Sequence, residues 1–473
     1  MEKKKIINNK IVTASIWNFF GTFLLKAITY ISVPIFTRIM SPEDYGYVST
    51  YATYISFLGI VIGLSMNTAT ANARIDFSKR FDDYNSSIIK SSFIIFTSEL
   101  IVGNIIFALI QDMLDVNRIY FNIIFIIAYC EYVVNTYYKI NTVDFRFLNN
   151  LRVSISNALI SLTISIALIL ILDNAILARL IGQGCFLFFA TIILFVRIGF
   201  VKSNCFNIND IKYAKKIAFP NIFHQISQII MSQSDRIIIL NLCGAVTAAK
   251  YSVVYNFGLI MQMIWNALNE VWVPWLYRML NEQKNAIIIK MSRIYLYVFT
   301  FISILAMLVA PDFMPILAPA AYMDAKNLII PILVATYFMF LYSFFANIEI
   351  YYKKNKYMAI STMIAALVNI VGNYLFIPVY GYKVAAYTTL ASYILLMLLH
   401  YIFLTYLFKL NIYSVKMFIA PIALAALGAI IAMLFLEARA IRYSIAAIMV
   451  LIIMIWAIVK KKVIMEFINS IRR

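Results

Sequence analysis

The chain has 473 residues, of which 63% are hydrophobic and 13% charged. A soluble fold uses roughly 45–50% apolar and about 25% charged residues, so this composition excludes a string of soluble domains and demands a surface that faces lipid. The net charge of +19, from 40 Lys+Arg against 21 Asp+Glu, would suggest nucleic acid in a soluble protein. In a membrane protein it is loop charge that sets orientation, and no nucleic-acid partner is expected.

In chain order, the basic start Met1 to Lys10 is followed by an apolar segment to about Thr37 with no A-x-A-like cleavage site, which predicts a retained first span rather than a signal peptide. Further apolar stretches of about twenty residues lie near 47–68, 88–111, 119–139, 153–172 and 177–198. After the basic segment Arg197 to Lys216 the pattern resumes near 217–242, 251–275, 293–310, 328–352, 357–377 and 384–407. Two more stretches, about 417–436 and 443–459, end at Lys460, Lys461 and Lys462. The expected fold is therefore an all-α polytopic membrane protein of about 14 transmembrane helices. Its parts are an N-lobe of six helices at 1–198, a basic cytoplasmic linker at 199–216, a C-lobe of six at 217–407, a final pair at 408–459 and an amphipathic interfacial tail at 460–473.

With the N-terminus inside, about 30 of the 40 Lys+Arg fall in cytoplasmic segments and about 8 outside, an asymmetry that predicts both termini in the cytoplasm. No loop exceeds about twenty residues and no G-x-x-x-x-G-K-[ST] run occurs, so no external catalytic or nucleotide-binding domain, ATP hydrolysis or cofactor is expected. Cys130, Cys185, Cys205 and Cys243 are widely separated, with no metal-ligand or disulfide pattern. The two sets of six spans are offset by about 205 residues, Lys10 against Lys215 and Asn150 against Asn355, as in a parallel repeat whose pseudo-twofold axis runs along the membrane normal.

Polar stripes mark the spans that cannot face lipid. The seventh places Asn221, His224, Gln225, Gln228, Ser232 and Asp235 on one helical face, and the eighth carries Tyr251, Tyr255, Gln262, Asn266 and Asn269. The second carries Ser49, Thr53, Ser56, Gly63 and Asn67, and the first Asn18, Thr22, Lys26 and Thr29. Each stripe reads either as hydrogen bonds between helices, worth about 0.6 kcal/mol apiece, or as the lining of a hydrated cavity; four together favour the cavity. Lys26 falls near the midplane, where an unpaired Lys costs about 2.5–3.5 kcal/mol. It is either locked to Glu99 or Glu131 or serves as a cation for substrate with one of those acids as its switchable partner. Asp235 and Arg236, adjacent and so about 100° apart, cannot both face one direction; Arg236 either snorkels or reaches into the cavity. His224 reads as a hydrogen-bonded residue or a proton carrier. Glu270 and Glu349, near inner helix ends, are expected to be solvated or paired with loop lysines.

Four segments then carry a resemblance: Phe36-Thr-Arg-Ile-Met-Ser-Pro-Glu-Asp-Tyr-Gly46, Ser234-Asp-Arg-Ile-Ile-Ile-Leu240, the Trp272-Val-Pro-Trp275 that would end the eighth span, and Asn369-Ile-Val-Gly-Asn-Tyr-Leu-Phe-Ile-Pro-Val-Tyr-Gly381 with Ala385-Ala-Tyr-Thr388. Together, over roughly residues 10–410, they resemble the Wzx-type polysaccharide flippases of the multidrug, oligosaccharidyl-lipid and polysaccharide exporter superfamily. The chain departs at Lys250 and Lys383-Val384, where the family usually has Gly. The resemblance implies a flippase, not an enzyme, in the bacterial cytoplasmic membrane. It would move undecaprenyl-pyrophosphate-linked O-antigen or capsule repeat units among membrane lipid, with a polysaccharide polymerase as partner. Lys26, Arg236, Asn18, Asn67, His224, Gln228, Gln262 and Asn266 are then the candidate substrate-binding residues, and Glu99, Glu131 and Asp235 the candidate coupling acids. Alternatives are a multidrug/cation antiporter of the same fold, which should carry an acid where Lys26 stands, and a membrane polysaccharide polymerase or ligase, which needs a large outer loop with Arg or His.

Overall fold

The computed structural model describes residues 28, 30–110, 116–200 and 206–459, so Asn18, Lys26, Cys205 and the tail from 460 lie outside the described residues. Helix α1 (30–39) leads to α2 (Pro42–Val61), a 3-10 segment (Ile62–Ala69), α3 (Thr70–Asp76) and α4 (Phe81–Ile110). Next come α5 (Arg118–Val143), α6 (Phe147–Ile171), α7 (Ala175–Gly199), α8 (Ile208–Cys243) and α9 (Ala245–Asn281). The remainder is α10 (Asn285–Val309), α11 (Met314–Leu317), α12 (Ile329–Tyr351), α13 (Asn355–Tyr380), α14 (Ala385–Ile402), α15 (Lys416–Leu434) and α16 (Arg439–Val459).

The start of α2 shows why the Ser-Pro-Glu-Asp sequence turns the chain. Ser41 caps the helix by accepting the Asp44 backbone N–H at 3.0 Å, Pro42 supplies a fixed φ at the first turn, and Glu43 and Asp44 sit where the helix dipole favours acids. Asn117, Asn174 and Asn207 cap α5, α7 and α8 in the same way.

Ten helical segments among the described residues are long and apolar enough to cross a membrane. The expected spans include these ten. Helices α8 and α9, 36 and 37 residues long, are not among them, because the polar stripes read from the sequence dilute their apolar content.

The chain forms two compact units, Met1–Ala249 and Lys250–Arg473. The segment expected as a linker, 199–216, is helical from Ile208 onward. Arg80 clasps the buried Asp210 at 2.8 Å, Tyr213 donates to Asp76 at 2.5 Å, and the Asn207 backbone N–H donates to Ser87 at 3.1 Å. These contacts dock the start of α8 within the first unit. That unit is built around α5, whose Ala128, Cys130, Tyr132 and Val133 are buried with Tyr51, Ile55 and Ile62. A Cβ on Gly182 would lie 2.2 Å from Ser165 Oγ, so the glycine lets α6 and α7 touch along their backbones.

The second unit is built around α12, buried along nearly its whole length among α10, α14 and α15. Phe299 stacks on Phe340 at 4.1 Å and Tyr337 meets Thr300 at 2.8 Å. Helix α9 does not end at Trp272-Val-Pro-Trp275 but continues through Pro274 to Asn281. Both indoles are buried, 4.8 Å apart, and Trp272 stacks on Tyr295 at 4.7 Å. Burying two such rings offsets the roughly 3 kcal/mol penalty of a helical proline. The final helix pair is held by Arg442, which is fully buried. It donates to Asp312 at 2.8 Å, to the Phe435 carbonyl at 3.0 Å and to the Leu308 carbonyl.

Candidate functional site

In the first unit the candidate site is organised by a break in the second span. Gly63, Leu64 and Ser65 have φ of 71°, 50° and 48°, which stops the helix and restarts it as α3. Gly63 is required twice over: by its φ, and because a Cβ there would sit 2.5 Å from the Tyr132 ring. The two non-glycine residues each cost about 1–2 kcal/mol in this region. Ser65 Oγ recaptures the Ile60 carbonyl at 2.9 Å and Thr68 Oγ1 the Ser65 carbonyl at 2.8 Å, so the break is internally satisfied. Interruptions of this kind mark hinges and functional sites.

The break carries Asn67, buried, with its Oδ1 3.5 Å from Lys139 Nζ on α5. Lys139 lies one turn inside the end of α5 and is half-buried. It is a candidate cation that sequence patterning does not single out, because a Lys four residues from a helix end is indistinguishable from a loop charge. Helix α8 packs against both α2 and the broken segment. Along it His224 and Gln228 are half-buried, and Asp235 and Arg236 are both buried and both engaged. Arg236 thus does not extend outward to the surface.

Several hydroxyls of these stripes bond carbonyls of their own helix. Ser49 and Thr53 bond the carbonyls of Gly46 and Ser49, Ser56 that of Ala52, and Ser232 that of Gln228, each within its own helix. Glu99 on α4 is half-buried, and its Oε2 has no hydrogen-bond partner among the described residues. Glu131 on α5 is half-buried. The expected pairing of either with Lys26 lies outside the described residues.

In the second unit Gln262 is half-buried and Asn266 exposed, while Asn269 accepts from Asn347 at 3.0 Å. Glu270 is exposed, as expected. Glu349 is not solvated: it and His400 are both fully buried, with His400 Nδ1 2.8 Å from Glu349 Oε2. No sequence pattern links residues 51 apart on two helices. A second buried cluster joins α13 to α14: Asn369 donates to Thr389 at 3.2 Å, Asn373 to Asn369 at 3.4 Å, and Thr388 to Asn373. The i, i+4 amides in an apolar helix were its visible trace. At the other end, Lys250 pairs with Asp324 at 2.9 Å and Tyr382 OH donates to the same carboxylate at 3.2 Å, so the departure at Lys250 is compensated by an acid.

Among the described residues no group of three His, Cys, Asp or Glu could hold a metal. The architecture is that of a polytopic helical membrane protein. The structure superimposes on the lipid II flippase MurJ in an inward closed conformation with a TM-score of 0.68 at 18% identity, covering 95% of this chain and 100% of that one. It superimposes on an inward-facing multidrug resistance MATE family transporter with a TM-score of 0.62 at 13% identity, covering 82% and 96%. A model of the polysaccharide biosynthesis protein family matches residues 11–280, more than half of the chain, and the chain belongs to that family. Lsg locus protein 1 of Haemophilus influenzae is 21% identical over 374 residues, 76% of this chain and 89% of its own length. Family and fold agree with the resemblance drawn from the four sequence segments.

Proposed function

We propose that the protein is a flippase that carries polyprenyl-pyrophosphate-linked oligosaccharide repeat units from the inner to the outer leaflet of a bacterial cytoplasmic membrane, by alternating access. The observation that carries this reading is the family membership, combined with an amide exposed in the middle of a long helix. Asn266 is exposed in the middle of the 37-residue α9, and an amide is tolerable there only against water or a polar cargo. Lys139 beside Asn67, together with the expected Lys26 and Arg236, offers cations to a pyrophosphate. Asn67, His224, Gln228, Gln262 and Asn266 offer hydrogen bonds to sugars, and Asn18 extends that set in the first span. Glu99, Glu131 and Asp235 are the acids assigned to coupling. The exposed apolar residues of α15 and α16, among them Leu427, Ile430 and Ile452, suit the lipid tail.

The test is reconstitution in liposomes with defined lipid-linked glycans, scoring transfer between leaflets with and without a membrane potential or pH gradient. No transfer of any such lipid, with gradient-driven efflux of organic cations instead, would replace this reading by the antiporter one, which the MATE-like fold also permits.

A further inference from the structure

The flippase reading leaves the buried Glu349 and His400 in the second unit without a role. Both side chains are fully buried, and their contact at 2.8 Å bridges α12 and α14. Each also keeps one buried polar atom, Glu349 Oε1 and His400 Nε2, with no hydrogen-bond partner among the described residues. A pair maintained only for packing would be cheaper as two apolar residues, since an unsatisfied buried polar atom costs about 1–3 kcal/mol. Tyr342 stacks on the imidazole at 5.3 Å and fixes its plane.

We propose that Glu349 and His400 form a binding site for a single proton, taken up and released as the second unit changes its access to water. With the carboxylate ionised and the imidazole neutral, Nδ1–H donates to Oε2 and the pair carries one negative charge. Uptake of one proton gives either imidazolium with carboxylate or imidazole with carboxylic acid. Both forms have no net charge. On release the proton passes to water.

The surroundings supply a route. His400 lies two residues before the end of α14, where the helix widens into a π-helical turn, Phe403–Leu407; such turns recur at functional sites. An open cavity of about 800 Å³ is lined by Tyr401 and Thr405 of this region, Arg293 and Tyr297 of α10, Tyr413, and Lys416 at the start of α15. Tyr401, next to His400 in sequence, packs edge-on against Phe345, one turn before Glu349, so a residue of the cavity wall adjoins the helices that carry the pair. The other titratable groups nearby are Tyr295 of α10, against Phe344, Tyr357 and Lys356 at the start of α13, and Lys353 and Lys354 after α12. None of those lysines pairs with Glu349 among the described residues. Arg293 and Lys416 place positive charge on the cavity wall.

The chain contains only two histidines, which makes the test direct. Full-length protein labelled with ¹⁵N-histidine is reconstituted and its imidazole signals are followed from about pH 5 to about pH 9, the range in which a histidine-centred proton exchanges; the signal lost in His400→Gln is assigned to His400. The expected result is a His400 signal that changes reversibly with pH in the native protein and keeps one neutral pattern in Glu349→Gln. A native signal invariant with pH overturns the proposal without any variant, and so does a Glu349→Gln profile identical to the native one. The use of this proton to drive transport rests on the flippase reading. There, leaflet transfer should respond several-fold to a pH gradient in the native protein and lose that response in Glu349→Gln. Transfer indifferent to the gradient refutes the coupling. Absence of transfer by the native protein refutes the flippase reading instead, and the imidazole signal then decides the proton site alone.

Discussion

Replacing Gly63 by Ala probes the break that positions Asn67. The added methyl would lie 2.5, 2.7 and 2.9 Å from Cζ, Cε2 and Cε1 of Tyr132, a ring that is itself 1% exposed and has little room to retreat. Overpacking of this kind costs about 1–3 kcal/mol, and the left-handed φ adds about 1–2 kcal/mol for any L-residue. The sum, about 2–5 kcal/mol, raises the locally open population by at least about 30-fold at 1.4 kcal/mol per tenfold. Cys130 is a built-in reporter, 2% exposed in the same cluster as Tyr132 and Ile62. In a variant that retains only this cysteine, its modification by a small thiol reagent should accelerate by that factor, provided reclosing outpaces labelling. Adding Tyr132→Leu removes the clashing atoms and should return the steric share while leaving the backbone share. An unchanged Cys130 rate in Gly63→Ala would refute the strain argument. A double variant as labile as the single one would refute the assignment of the clash to Tyr132.

Arg442→Met removes the buried guanidinium from Asp312 and two carbonyls and should destabilise the protein by about 3–5 kcal/mol, seen as a lower unfolding temperature in detergent; adding Asp312→Asn should recover part of the loss. Lys139→Met should lower leaflet transfer more than tenfold while Lys139→Arg keeps a fraction, whereas equal transfer by all three proteins would remove Lys139 from the site. Lys26→Ala should abolish transfer with normal insertion if the charge serves the pyrophosphate, and normal transfer would falsify that role. In a background without the four native cysteines, Gln262→Cys or Asn266→Cys should react with a small charged thiol reagent and be protected by lipid-linked glycan. If neither labels from either side, the polar face of α9 lines no aqueous space.

The amino-acid sequence by itself determined the class of protein. Its apolar excess forces a lipid-facing surface, its stretches of about twenty residues place the spans, and the 3.6-residue period puts His224 with Gln228, and Gln262 with Asn266, on common faces. Ser41-Pro42-Glu43-Asp44 marked a helix start through local capping, which needs no distant partner. What only the tertiary structure decided depends on contacts between residues far apart in the chain. Pro274 should end a helix on local grounds, yet two buried indoles carry α9 past it. Arg442 reads as a loop charge until Asp312, 130 residues earlier, is found against it. Glu349 reads as a solvated helix end, and it is the fold of α12 against α14 that encloses it with His400. A charge near a helix terminus has the same local sequence whether it meets water or a buried partner. The choice between them is made by packing, where an unpaired charge is too costly to enclose and a paired one is not.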